Sequence, residues 1–319
     1  MKMITAFLVA AVKAGTPLLF GTTGEIITER AGSLNLGVEG MMCMGAICGF
    51  YTGYTTNSLL LALIAAILAG AAGALIYAFL TITMKANQNV VGLALTIFGQ
   101  GFSNFFGQMM ISNAPNGIKP ALPQGIFSRL SDMPIPLLSK IPFIGETLFS
   151  HSILVYIAVI TAILCGLFLS RTRTGLNLRS VGENPAAADA AGINVDLVRY
   201  ISTVVGGGIC GLGGAYLALV GGGGQWNNGC VDGHGWIAVA LVIFAGWSPF
   251  KAILGSLIFG AFSVLQFYAP KDVLHIPNAF YVMLPFVVTA VVLVFTSMRK
   301  TKEGAQPKSC GLNYFREER

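Results

Sequence analysis

The sequence has 319 residues, 55% hydrophobic and only 10% charged, with a mean hydropathy of +0.74 and a formal net charge of +6. Soluble globular proteins carry about 25% charged residues, so this deficit excludes a large soluble domain and points to a polytopic membrane protein. The basic residues sit between hydrophobic runs and in the tail, where membrane topology accounts for them, and nucleic acid is set aside as a partner.

Hydrophobic runs fall at 3–27, 34–53, 59–83, 88–107, 151–170, 198–220, 236–247, 250–268 and 279–298. Most are near the ~20 residues that cross a bilayer as a helix, which predicts an all-α bundle of eight or nine spans in one transmembrane domain, 1–319. The opening MKMITAFLVAAVKAG has the look of a signal peptide. Lys13 cuts its apolar run short and no A-x-A site follows, so it reads as a retained first membrane helix, with Lys13 left without a role. In the following GEIITERAGSLNLGVEGMM, Glu25, Glu29, Arg30 and Glu39 crowd one turn. Carboxylates there are costly against lipid, so they are expected to pair with Arg30 or to cap backbone amides.

The fourth run repeats Gln88, Gly92, Thr96, Gln100, Asn104 and Gln108 at i+4, a polar stripe along one helix. Gly99, Ser103 and Gly107 form a small-residue ridge beside it. Lipid does not accept a row of amides, so the stripe faces protein or water. It serves as glue between helices, as a polar path for a solute, or as both. The path candidates are Thr96, Gln100, Asn104 and Gln108, with Phe102 and Trp226 as stacking surfaces.

The segment 108–150 holds six of the 13 prolines and is too broken to span a membrane, yet too apolar for a solvated linker. A cap on the outer face is expected, with a docking surface as its functional form. Between 171 and 199 comes GENPAAADAAGINV, a polar interruption. Asn184 suits an N-cap, Pro185 the first helical position, and Gly192 a left-handed closure, so a helix of about two turns is predicted. Such a helix is marginal alone and needs something to hold it. The run 236–247 is short, and Trp247, Ser248 and Pro249 break it from the next, so it is a half-helix or is extended by residues before 236. The tail 299–319 is polar and basic, and reads as a solvated, partly disordered end.

With alternating sides, 13 of the 19 Lys and Arg fall on the face carrying 171–199 and the tail, which makes that face cytoplasmic. The chain contains no GxxxxGK[ST], HExxH or GxSxG motif and no paired-carboxylate cluster, so no catalytic or metal-binding residue is assigned. Its three histidines lie near predicted membrane borders and read as interface residues. Its six cysteines are scattered and read as small buried hydrophobes.

ERAGSLNLGVEGMMCMGA, GENPAAADAAGIN and GWIAVALVIFAGWSPFKAILGSLIFG together resemble the membrane subunits of bacterial ABC importers of the branched-chain amino acid and sugar permease superfamily. The resemblance spans nearly the whole chain and is nearest the nucleoside permeases served by a basic-membrane-protein-like lipoprotein. It implies a multi-pass inner-membrane subunit, a separate ABC ATPase that uses the ATP, a second homologous permease in a heterodimer, and a substrate-binding lipoprotein. It also implies that Gly182, Glu183, Asn184, Pro185, Ala188, Asp189 and Gly192 form a cytoplasmic coupling helix held between the membrane bundle and the ATPase. The alternatives are a branched-chain amino acid or sugar permease of the same superfamily, or a secondary transporter working alone.

Overall fold

The computed structural model describes residues 2–114, 119–134, 144–268 and 305–318, with isolated positions between 280 and 294. The run 279–298, His275 and the start of the tail therefore lie wholly or largely outside the described residues. Local signals set most of the helix ends. Helix α1 (Lys2–Arg30) carries Pro17 inside it. Helix α2 (Val38–Thr56) stops at Asn57, which adopts the left-handed conformation that a short polar side chain tolerates. Ser58 then caps α3 (Leu59–Ala78), which runs on through a π turn to Thr83. Asn87 Oδ1 accepts from Asn89 N (3.0 Å) and Val90 N (3.2 Å) and opens α4 (Gln88–Ser112).

Small pieces follow: α5 (Gln124–Leu130), a two-residue strand β1 (Met133–Pro134), α6 (Ile144–Leu148) and β2 (Ser150–His151), antiparallel to β1. Helix α7 (Ile153–Arg171) descends to α8 (Arg173–Glu183) and the short α9 (Pro185–Ala190). Asn194 Oδ1 accepts from Leu197 N (3.0 Å) to start α10 (Val195–Tyr216), which continues to Gly221. Helices α11 (His234–Phe244) and α12 (Pro249–Tyr268) come last among the described helices longer than one turn.

Among the described residues α1, α3, α4, α7 and α10 are long and apolar enough to cross a membrane. Helix α2 is built from Gly, Met, Thr and Cys more than from large aliphatics, and it lies in the middle, buried along most of its length. With α10 it forms the core, flanked by α1, α3 and α4. Leu60, Leu68, Ile97 and Phe105 point outward, as side chains against lipid or another subunit must.

The turns 31–37 and 84–87, the segment 172–194 and the stretch 305–318 gather at one end of the bundle, bonded to one another. That end carries the predicted cytoplasmic charges Arg30, Lys85 and Arg199. At the opposite end α5 forms the expected cap, with Ile126 and Leu130 buried. The cap is pinned to the loop after α10 by Leu122 N to Gly224 O (2.8 Å) and Trp226 N to Pro120 O (2.9 Å). Lys13 gains a role here, because its Nζ lies 2.6 Å from Asp132 Oδ2 in the cap.

Two expectations need correction. The stretch 305–318 is not a solvated end; it packs across the end of the bundle that carries Arg30, Lys85 and Arg199, as its bonds below show. Trp226 is no stacking surface for a solute. It is fully buried, 5.3 Å from the Phe50 ring, and donates Nε1–H to Asn228 Oδ1. Two histidines are engaged with the backbone: His151 Nε2 meets Thr147 O at 2.8 Å, and His234 Nδ1 meets Val231 O at 2.5 Å.

Candidate translocation path and coupling face

The polar stripe of α4 divides into three parts. At its foot Gln88 is buried, accepting from Leu34 N at 2.7 Å and donating to Asn313 Oδ1 at 3.2 Å. About two turns up, Thr96 donates to Leu36 O at 3.0 Å and is buried. The ridge beside them packs close: a Cβ on Gly99 would strike the Gly40 backbone, so only glycine lets α2 and α4 touch here. At the top, Gln108 accepts from Asn228 Nδ2 at 3.1 Å. The two ends of the stripe hold the bundle together.

The middle is different. Gln100 and Asn104 are exposed and line a cavity of about 210 Å³ with Ser103, Glu39, Cys43 and residues 229–232. Gln100 lies twelve residues above the foot of α4, or about 18 Å at 1.5 Å per residue, near the centre of a ~30 Å hydrocarbon core. Phe102 lies off this cavity, stacked in a ladder with Phe98 (6.2 Å) and Phe106 (4.6 Å).

Two helix N-termini meet at the cavity. Glu39, in the first turn of α2, accepts from Gly233 N (2.8 Å) and Gly235 N (2.6 Å) at the start of α11. A carboxylate bonded to both amides offsets the positive end of α11 and explains how a charge is tolerated at this depth. Helix α11 is the half-helix, eleven residues and about 16 Å long. It ends at a turn where Trp247 Nε1 donates to Glu29 and Trp247 O accepts from Arg30 Nε (3.0 Å). A discontinuous helix opening on a polar cavity is how membrane transporters place backbone groups near a solute. Glu25 Oε1 likewise accepts from Asn35 N (3.0 Å), so Glu25 and Glu39 cap backbone amides as expected, whereas Glu29 accepts from the Trp247 side chain.

Asp232 was not anticipated. It sits between Val231 and Gly233 with φ 38°, exposed, and lines the cavity. The Asp-Gly pair after a glycine-rich stretch is a turn signal that could have marked it. Among the described residues the lining includes no Lys or Arg.

At the end of the bundle carrying Arg30, Lys85 and Arg199, α9 forms as its sequence dictates. Asn184 Oδ1 accepts from Ala187 N (3.1 Å), and Pro185 takes the first helical position. Gly192, at φ 83°, closes the helix: Gly192 N donates to Asp189 O (2.9 Å) and Ile193 N to Ala188 O (3.0 Å). Gly182 abuts the Arg30 carbonyl, and Ala188 packs with Val181 and Val195. Glu183, Asn184, Ala187 and Gly192 face solvent. Asp189 does not: its carboxylate accepts from Tyr314 OH (2.8 Å) and pairs with Arg316 Nε (3.2 Å), leaving its side chain 11% exposed.

The chain is 38% identical over 280 residues to TsgC13 of Haloferax volcanii, provisionally named a glucose ABC transporter permease, covering 88% of this chain and 82% of that one. It is 33% identical to the nucleoside ABC transporter permease NupC of Lactococcus lactis, covering 94% of each. It is 30% identical to the guanosine ABC transporter permease NupQ of Bacillus subtilis, covering 100% and 99%. The fold matches a solved ABC transporter of the metal-chelate type in an inward-facing conformation, with a TM-score of 0.51 and 14% identity over 91% of this chain and 85% of that one. Residues 7–296 match the family described as branched-chain amino acid transport system / permease component. The chain belongs to that family, and is a multi-pass plasma-membrane permease subunit of an ABC importer that works with an ATPase partner.

Proposed function

We propose that this permease imports nucleosides, and that the solute passes the mid-membrane cavity between α4 and the 229–232 loop. The observation that carries the reading is the lining itself: Gln100, Ser103, Asn104 and Asp232 offer donors and acceptors around a cavity without a cation. A nucleoside is neutral and rich in both donors and acceptors, which amides, hydroxyls and one carboxylate can match. An amino acid brings a carboxylate, and no Lys or Arg lines the cavity to receive it. The relatives named for nucleosides and guanosine point the same way.

A cavity of about 210 Å³ is below the ~300 Å³ where ligand pockets usually begin. The exposed edges of Gln100 and Asn104 are then closed by a second, homologous permease. A substrate-binding lipoprotein delivers the solute to the outer cap, and α9 receives the ATPase, where hydrolysis takes place. The relative named for glucose supports a second reading, since a neutral sugar suits the same groups. Competition in cells expressing the complete transporter separates them. Uptake of labelled guanosine suppressed by unlabelled nucleosides, and unaffected by leucine or glucose, is expected. Suppression by glucose selects the second reading, and suppression by leucine rejects both.

A further inference from the structure

The stretch QPKSCGLNYFREE, residues 306–318, has little to order it locally: it is polar, with a proline at its second position and a glycine in its middle. Yet it is fixed at a succession of points that cross the whole cytoplasmic face. Ser309 donates twice to Gly182 O at the end of α8, from N (3.0 Å) and Oγ (2.5 Å). Gly311 N reaches Gly32 O in the α1–α2 turn (3.3 Å), and Leu312 O accepts from Arg199 Nη1 of α10 (3.1 Å). Asn313 Nδ2 donates to Lys85 O in the α3–α4 turn (2.6 Å), while its Oδ1 accepts from Gln88 Nε2 at the foot of α4 (3.2 Å). Tyr314 OH and Arg316 then close on Asp189 of α9.

Two of these anchors lead to the cavity. Gln88 begins the rigid helix that carries Gln100 and Asn104. Gly32 begins the turn that, through Asn35 and Leu36, leads to Glu39. The strap's adjacent residues Asn313 and Tyr314 thus join α9 to the foot of the helix that lines the path. Arg199 is buried while it holds the strap backbone, so its charge is committed to this contact.

We infer that residues 305–318 are a transmission strap: they carry displacement of α9 to α4 and to the α1–α2 turn, with Ser309, Asn313 and Tyr314 as positioning residues. The inference rests on the reading of α9 as the ATPase coupling element. A stiff peg moves a bundle only if something ties the peg to the helices that must move. Helix α9 has six residues and one fully buried side chain, Ala188, so its own packing is a slender tie. The strap adds a second, hydrogen-bonded route to the path helix. Nearby, α10 is linked to the α3–α4 end by the solvent-exposed Lys85–Asp196 ion pair (3.4 Å) and by a hydrogen bond between Thr83 and Tyr200, and neither of these involves α9.

The test uses the complete transporter in liposomes, measuring solute moved per ATP hydrolysed. Tyr314→Phe removes one hydroxyl and Asn313→Ala removes its bonds to Lys85, Ala86 and Gln88 at the α4 foot. Each is expected to insert normally and to co-purify with the ATPase at the wild-type level. ATP hydrolysis should persist while the transport-to-hydrolysis ratio falls several-fold, and further in the double variant. Asp196→Asn should leave the ratio unchanged. In a background without native cysteines, joining Asp189→Cys to Tyr314→Cys with a short thiol cross-linker should preserve the ratio, because strap and helix move together. An unchanged ratio in the double variant overturns the inference, as does loss of transport on cross-linking. Loss of the ATPase on Tyr314→Phe also overturns it, making the strap a docking surface instead. If Gly192→Val leaves ATPase binding intact, the reading of α9 fails independently of the strap.

Discussion

Gly192 allows α9, the proposed coupling helix, to be perturbed through backbone geometry alone. At φ 83° it lies in the left-handed region, and a Cβ built there meets nothing within 4 Å. Substitution therefore adds no clash, and the cost is conformational. A left-handed non-glycine residue costs roughly 1–2 kcal/mol, more when β-branched, while Asn tolerates the region. Such a penalty lowers the ratio of closed to open α9 by about 5- to 30-fold. The strap's hold on Asp189 offsets part of this loss. ATPase retained on affinity-purified permease should fall in the order Asn, Ala, Val, with Asn close to wild type and Val lowest. Membrane insertion should be equal in all three, since α7 and α10 are untouched. Equal retention across the series would refute the argument that a left-handed closure holds the docking shape. A deficit in Asn as large as in Val would do the same.

Cysteines placed singly at Gln100 and Asn104, with the six native ones replaced, should react with small water-soluble thiol reagents in the assembled transporter. A cysteine at Thr96, which is buried on the Leu36 carbonyl, should react far more slowly; equal rates at all three would remove the cavity from the path. Glu39→Gln replaces a carboxylate that accepts two amides, where a charged hydrogen bond contributes about 1.5–3 kcal/mol. Its thermal midpoint and uptake should both drop with the ATPase still bound, and an unchanged midpoint would deny that Glu39 caps α11. Burial holds the His151 imidazole below its ordinary 6.5, so the ring is neutral in the fold while the unfolded cap takes up a proton first. That stability is present above 6.5 and lost as pH falls toward the folded value, so hydrogen exchange in 144–152 should quicken between neutral pH and about pH 5. Exchange independent of pH, after correction for its intrinsic rate, would contradict this.

Features set by neighbours in sequence were legible. The caps of α9 need only Asn184, Pro185 and Gly192, and all three act as their residue types predict. The stripe on α4 was legible as a face, because periodicity reports direction. What lies opposite each residue was not, since that depends on chain 54 to 225 positions away. Thr96 is taken by the Leu36 carbonyl and Gln108 by Asn228, which leaves only Gln100 and Asn104 on the cavity. The partner of Lys13 is Asp132, beyond any local pattern. Asp232 was missed for a related reason: a lone acid in a glycine-rich turn carries no period. The strap was misread because its polar composition describes a solvated segment, while its order comes from anchors scattered over Gly32, Lys85, Gln88, Gly182, Asp189 and Arg199.

The most direct test of the central claim is where the solute sits during turnover. A photoreactive purine nucleoside, irradiated in the reconstituted transporter while ATP is being hydrolysed, can be mapped by peptide mass spectrometry. The account predicts attachment at 100–104 of α4 and at 229–232, abolished by excess unlabelled guanosine and reduced by Asp232→Asn. Guanosine-sensitive attachment elsewhere in the bundle, with none at these two segments, would contradict it.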